Sequence, residues 1–229
     1  MGRSTGYDAA AVIAATEFAW TDADTISRLI DSLFVRSPRG GMTAADAKAG
    51  ILPLIAKNPG GNDPENHTIP FGYVDEKFGW VEALHIRSVK HTLGKKVMFD
   101  PKLEFLYFQA GSSEFDAKSL RCSDPLVELL TLALPILKTT YAWGGHLNRD
   151  ILRPGRSDPR KQVWGFNYFG PEHHKKLDSR GLDELARNGW RLHKDNIGGL
   201  FLLWLPTPFI CAEEVRKKAA RLLHTGDLF

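Results

Sequence analysis

The fold is decided near the start of the chain, by the stretch Ala10-Ala-Val-Ile-Ala-Ala-Thr-Glu-Phe18. Val12, Ala14, Thr16 and Phe18 recur at every second position, and a period of two is typical of a β-strand. The alternation therefore predicts an opening strand over residues 10–18. The residues that follow this strand predict the element that packs against it.

An amphipathic helix follows the strand directly. Thr21 or Asp22 can accept hydrogen bonds from the free N–H groups of a first helical turn, and Ser37-Pro38 ends the segment. Apolar side chains recur between them at i, i+3, i+4, i+7 and i+8, namely at Ile26, Leu29, Ile30, Leu33 and Phe34. The opposite face of this helix carries charged side chains, at Asp24, Arg28 and Asp31.

The rest of the chain alternates between strand-like and helix-like patterns. Further strands are predicted over 79–88, 103–109, 162–169, 190–194 and 200–205. Helices are predicted over 125–138 and 212–224, and shorter helical stretches over 43–49, 171–177 and 182–187. Pro53 is expected to stop the stretch that begins at 43, and the residues 58–64 to form a loop. The pairs Gly144-Gly145 and Gly198-Gly199 are interpreted as turns.

These patterns together indicate an α+β fold. The strands are joined by short turns, and helices stand at the start, middle and end of the chain. We expect one domain over residues 1–229, built on a mostly antiparallel sheet that helices cover on one face.

Composition agrees with a globular protein. The chain has 229 residues, of which 43% are hydrophobic and 25% charged, so it falls outside the disordered, collagenous and disulfide-rich classes. Its longest apolar run without charge, Gly or Pro, from Leu200 to Leu205, is too short to cross a bilayer. No signal peptide is recognisable, which favours a cytoplasmic protein. Cys122 and Cys211 are expected to be reduced thiols in a packed interior.

Charge is unevenly distributed. The net charge is +3, yet residues 1–35 carry two basic and five acidic side chains. The loop from Arg149 to Lys161 is the most basic segment, and a nucleic-acid-binding module would use a segment of this kind. Asp150 and Asp158 lie within it, however, and a solvated charged loop is the simpler interpretation.

Catalytic signatures are missing from the sequence. None of the paired glycines continues as a phosphate-binding GxGxxG or GxxxxGK[ST] motif, and no GxSxG elbow occurs. Glu172, His173 and His174 form the best candidate acid/base or metal-binding group, which leaves a small hydrolase or a metal-dependent enzyme as an alternative. A polar helix start at the surface explains the same three residues. We therefore expect no enzyme, no metal and no cofactor.

Four motifs in the second half of the chain resemble a known family. They are Tyr141-Ala-Trp-Gly-Gly-His146, Trp164-Gly-Phe-Asn-Tyr-Phe-Gly-Pro-Glu172, Trp190-Arg-Leu192 and Gly198-Gly-Leu-Phe-Leu-Leu-Trp-Leu-Pro206. Their order resembles the layout of bacterial immunity proteins from polymorphic toxin and type VI secretion systems, most of all the immunity protein 52 family. The predicted opening strand and helix agree with that layout.

The resemblance implies a protein that binds a cognate secreted toxin and neutralises it. Family members are associated with restriction-endonuclease-like toxins, which implies a nuclease partner and no direct contact with nucleic acid. Because a nuclease is basic around its groove, we predict that the toxin contacts the acidic stripe of the first helix. The predicted partner residues are Asp22, Asp24, Arg28 and Asp31, together with Tyr141 and Trp143.

Overall fold

A computed structural model of the chain describes residues 9–16, 22–34, 43–57, 69–75, 79–88, 104–111, 124–146, 162–205, 208–225 and 228. The strands in this part are β1 (Ala9–Thr16), β2 (Ile69–Asp75), β3 (Gly79–Ser88), β4 (Glu104–Gly111), β5 (Thr139–His146), β6 (Phe166–Phe169), β7 (Trp190–Lys194) and β8 (Leu200–Trp204). The helices are α1 (Ala23–Phe34), α2 (Ala44–Lys57), α3 (Asp124–Ile136), α4 (Pro171–His174), α5 (Ser179–Arg187) and α6 (Glu213–Leu223).

The strands form one eight-stranded sheet in the order β2-β3-β4-β1-β5-β6-β8-β7. Each neighbouring pair is antiparallel, which confirms the predicted α+β fold with an antiparallel sheet. The opening strand is central: Val12 lies opposite Phe108 of β4 on one side and Gly144 of β5 on the other.

Helices cover both faces of the sheet, so the expectation of one covered face is wrong. In β1, Val12 and Ala14 belong to a first core with α1 and α3, whereas Ile13 and Ala15 belong to a second core with α5 and α6. The reason is the strand geometry, because successive side chains point to opposite faces and all of these are apolar. The alternation of Val12, Ala14 and Thr16 describes only one of these two faces.

The helical predictions are largely confirmed. In α1, Ile26, Leu29 and Ile30 are fully buried, as the apolar spacing predicted. Four apolar side chains of the segment around α3 are likewise fully buried, at Leu130, Ala133, Leu134 and Leu137. Helix α6 buries Ala219 and Leu223 in the second core. None of the helices in the described ranges is long and apolar enough to cross a membrane.

The predicted bounds of two elements need correction. Helix α2 continues through Pro53 to Lys57. Pro53 and Ala49 are both exposed, so water can satisfy the Ala49 carbonyl that loses its helical donor. The sixth strand begins at Phe166 and not at 162, because Asn167 Oδ1 accepts a hydrogen bond from Trp164 N and bends the chain before it.

Strands β2 and β5 had not been predicted. Strand β2 contains Pro70 and Gly72, which usually mark turns but are tolerated at a sheet edge, where β2 lies. In β5, Gly144 and Gly145 pair with β1 and do not form a turn. The turn interpretation of Gly198 is confirmed by its φ of +95°.

The remaining predictions concern the two cysteines and several segments outside the described residues. Cys211 is buried, as expected, while Cys122 lies outside the described residues. So do the loop over 58–64, the stop at Ser37-Pro38 and the end of the opening strand at residues 17–18.

We expect Leu130→Ala to lower the free energy of unfolding by about 2 to 5 kcal/mol, because it empties a fully buried site under the sheet. The matched control is Leu132→Ala on the same helix, where the side chain is 40% exposed and the loss should be about 0.5 kcal/mol. Urea unfolding midpoints measure both changes. Equal midpoints for the two variants would contradict the assignment of the buried face.

Candidate functional site

Asp22 caps helix α1. Its Oδ1 accepts a hydrogen bond from Thr25 N at 3.1 Å, and its Oδ2 accepts one from Thr25 Oγ1 at 2.7 Å. These bonds stabilise the charged form, so the Thr25 side chain, followed by its backbone N–H, lowers the pKa of Asp22 below its ordinary value. The Asp22 carboxylate is therefore engaged in holding the helix start.

The other charged residues predicted on this helix, Asp24, Arg28 and Asp31, are all exposed, and we call them the α1 stripe. Arg28 donates a hydrogen bond to Thr25 Oγ1 at 3.2 Å. Asp31 forms an ion pair of 2.7 Å with Lys48 of α2. The pair is exposed and therefore weak, but it neutralises part of the negative charge that the sequence alone suggested.

Tyr141 and Trp143 are not surface residues, and their assignment to a partner-binding surface is corrected. Their exposed fractions are 1% and 2%, and both rings belong to the second core. The two rings stack at 5.6 Å, and Tyr141 Oη donates to Gln162 O at 3.3 Å. Strand β5 lies inside a sheet that is covered on both faces, so its aromatic side chains are interior.

The Glu172, His173 and His174 group lies in the short helix α4. Glu172 forms an ion pair with Lys175 at 2.6 Å, and this contact lowers the pKa of the Glu172 carboxyl. His174 Nδ1 lies 2.8 Å from Gly198 O, in the turn between β7 and β8. Within the described residues, no group of three or more His, Cys, Asp or Glu side chains could hold a metal ion.

A buried tyrosine fixes the turn between β7 and β8. Tyr168 of β6 donates its hydroxyl to Asp195 Oδ2 at 2.7 Å, while Asp195 Oδ1 accepts from Ile197 N at 3.0 Å and Gly199 N at 2.7 Å. A Cβ on Gly199 would overlap Tyr168 Oη, so glycine is required there. Burial, with Asp195 beside it, raises the pKa of Tyr168, which keeps the donor neutral.

A groove of about 330 Å³ opens between α3 and the β7–β8 hairpin, and we call it the hairpin groove. Its lining combines apolar and charged side chains: Val127, Glu128, Thr131, Leu132, Arg191, His193, Phe201 and Leu203. The ring centroids of His193 and Phe201 are 6.1 Å apart. Sequence reasoning missed this site because its two walls are distant in the chain.

The loop from Arg149 to Lys161, the basis of the nucleic-acid alternative, lies outside the described residues. The arrangement of the described part thus leaves two exposed features for function. They are the α1 stripe beside the first core and the hairpin groove at the end of the sheet.

Comparisons with known proteins support the fold. No protein-family model matches the sequence, and a search of curated proteins gave no match. Among solved structures, the chain is similar to the Pseudomonas aeruginosa T6SS protein PA0821, with a TM-score of 0.50 and 10% sequence identity. The alignment covers 95% of this chain and 73% of that chain. At this identity the likeness establishes a shared fold, an antiparallel sheet covered by helices.

We expect Tyr168→Phe to lower the free energy of unfolding by about 1 to 3 kcal/mol, because it removes a hydrogen bond to a carboxylate. The difference from the parent protein should shrink as the pH rises above the ordinary tyrosine pKa of 10.0. There the unfolded tyrosine ionises while the folded one stays protonated, so the parent loses stability. Urea titrations across pH measure this, and equal stabilities at neutral pH would contradict it.

Proposed function

We propose that this protein is an immunity protein that binds and neutralises a cognate secreted toxin, a nuclease effector of a type VI secretion system. It has no catalytic activity of its own in this proposal, and it acts by occupying a surface of the toxin. The partner is a protein, with no direct contact to nucleic acid.

The observation that carries this proposal is the likeness of 95% of the chain to a structure described as a T6SS protein. The resemblance of the motifs between residues 141 and 206 to the immunity protein 52 family points to the same kind of system. The two observations are independent, because one rests on backbone geometry and the other on particular residues.

The roles of the polar side chains support a binding protein over the enzyme alternative. Glu172 is engaged with Lys175, and His174 with the turn that follows β7. These contacts give two of the three candidate residues roles that require no catalysis. A binding protein needs a rigid framework and an exposed surface, and this chain supplies both.

The α1 stripe is our proposed contact with the basic surroundings of a nuclease groove. Asp24 and Asp31 are exposed on a helix that is anchored to the first core by three fully buried apolar side chains. Complementary charges at such a surface chiefly raise the rate of association. Because Lys48 and Arg28 moderate the stripe, the toxin contact need not imitate nucleic acid.

The direct test is co-expression with the toxin encoded by a neighbouring gene. We expect this protein to restore growth and to co-purify with the toxin as a stable complex. A matched control replaces this protein with the destabilised Leu130→Ala variant, which should rescue growth less well. Absence of both rescue and co-purification with the intact protein would refute the proposal.

We expect the double variant Asp24→Lys with Asp31→Lys to fold normally and to bind the toxin several-fold more slowly. Both changes are at exposed positions, and the lost Asp31–Lys48 pair contributes about 0 to 1 kcal/mol. The defect should be larger at low salt than at high salt, because salt screens exposed charges. Surface plasmon resonance at both salt concentrations measures it.

The matched control is Asp183→Lys with Glu184→Lys on α5, which changes the charge equally beneath the opposite face of the sheet. This control should associate like the parent. If the α1 double variant also associates like the parent at low salt, the α1 stripe is not the contact surface.

A further inference from the structure

Strand β7 ends the sheet and pairs with β8 alone among the described strands. Asp195 N donates to Gly199 O at 3.0 Å, and Trp204 N donates to Gly165 O at 2.8 Å on the other side of β8. Hydrogen-bonded pairs alternate in antiparallel ladders, so Arg191 and His193 exchange bonds with β8. The N–H and C=O groups of Leu192 and Lys194 therefore face outward.

The side chains of β7 divide between the two faces. Arg191 lies opposite Leu203 and His193 opposite Phe201, so both stand on the face of the first core and line the hairpin groove. Leu192 is half-buried and packs against the second core. An added strand would thus meet Arg191 and the imidazole of His193 on one face, and Leu192 and Lys194 on the other.

The charge on this edge is basic, and within the described ranges it has no ion-pair partner. In the described part of the chain, neither Arg191 nor Lys194 forms an ion pair, and both are exposed. The neighbouring carboxylate of Asp195 is already held by Tyr168 and two backbone N–H groups. Glu128, which also lines the groove, lies across it on α3.

This charge also decides which occupant fits. A second copy of the chain that paired through β7 would bring a second Arg191 and a second Lys194 to the same edge. Like charges opposite one another destabilise a strand pair, whereas opposite charges stabilise it. An acidic segment therefore fits this edge better than a second copy does.

We infer that the β7 edge binds an extended acidic segment of the toxin, which adds a ninth strand to the sheet. This inference rests on the proposed function. Carboxylates of the segment meet Arg191 and His193 at the mouth of the hairpin groove, where space beside α3 is open. An apolar side chain between these carboxylates in the segment's sequence contacts Leu192 on the opposite face of the sheet. The segment is recognised by alternation of acidic and apolar residues, through backbone hydrogen bonds and opposite charges.

Two variants of β7 test the inference. Arg191→Glu with Lys194→Glu reverses the charge, and Leu192→Pro removes an outward N–H while sparing the bonds to β8. The matched control, Arg180→Glu with Arg221→Glu, makes the same charge change at exposed positions of α5 and α6. Circular dichroism and thermal melting confirm that each variant folds.

The measurements are affinity for the co-expressed toxin and for the synthetic heptapeptide EVELEVE, with KVKLKVK as its counterpart. We expect both β7 variants to bind the toxin and EVELEVE at least tenfold more weakly than the parent, and the control to bind like the parent. KVKLKVK should not bind the parent.

Different results would refute the docking site, the proposed function and the choice of an acidic occupant. If the parent binds the toxin and both folded β7 variants bind it equally well, the edge is not the docking site, although the proposed function stands. If the parent binds EVELEVE but neither binds nor neutralises the toxin, the proposed function fails and the assignment of the occupant to the toxin fails with it. Sedimentation showing that the parent dimerises and that charge reversal does not abolish the dimer would overturn the choice of an acidic occupant.

Discussion

The structure depends on one strand that is buried on both faces and bonded on both edges. Strand β1 pairs with β4 and β5, and its side chains from Val12 to Thr16 are at most 2% exposed. Its small residues let two helical layers approach the sheet from opposite sides. The layer of the first core supplies both exposed features: α1 carries the charged stripe, and α3 forms one wall of the hairpin groove.

Buried polar side chains specify how β6, β8 and the turn between β7 and β8 pack at one end of the sheet. Asn167 is fully buried, and its side chain bonds to Trp164 N, Trp164 O and Leu202 O. Tyr168, the next residue, holds Asp195. Because a buried polar group is costly without its partners, these contacts specify one arrangement of β6, β8 and the hairpin. The hydrogen bonds of Tyr168 and Asp195 also tie the turn after β7 to the interior of the sheet.

The two proposed contact surfaces differ in charge. The α1 stripe is acidic but partly neutralised by Lys48, whereas the β7 edge is basic and has no ion-pair partner among the described residues. A toxin that contacts both must offer a basic surface and an acidic segment. A small net charge of +3 is consistent with an interface that carries charges of both signs.

Much of the fold could be predicted from local patterns. The helical spacing of Ile26, Leu29 and Ile30 and the alternation in β1 act within a few residues, and the structure confirms both elements. Predictions failed where the deciding neighbour is distant in the sequence. Gly144 resembles a turn residue until β1 pairs with it, and Tyr141 resembles a binding residue until both faces of β5 are covered.

The candidate site likewise has some features that local sequence patterns predict and others that depend on tertiary contacts. The exposed charges of α1 follow from local spacing, because helical periodicity separates a polar face from an apolar one. The ion pair of Lys48 with Asp31, the interior position of Tyr141 and Trp143, and the edge position of β7 arise only in the folded chain. The physical reason is that strand order and burial come from contacts between residues far apart in the chain, on which local spacing carries no information.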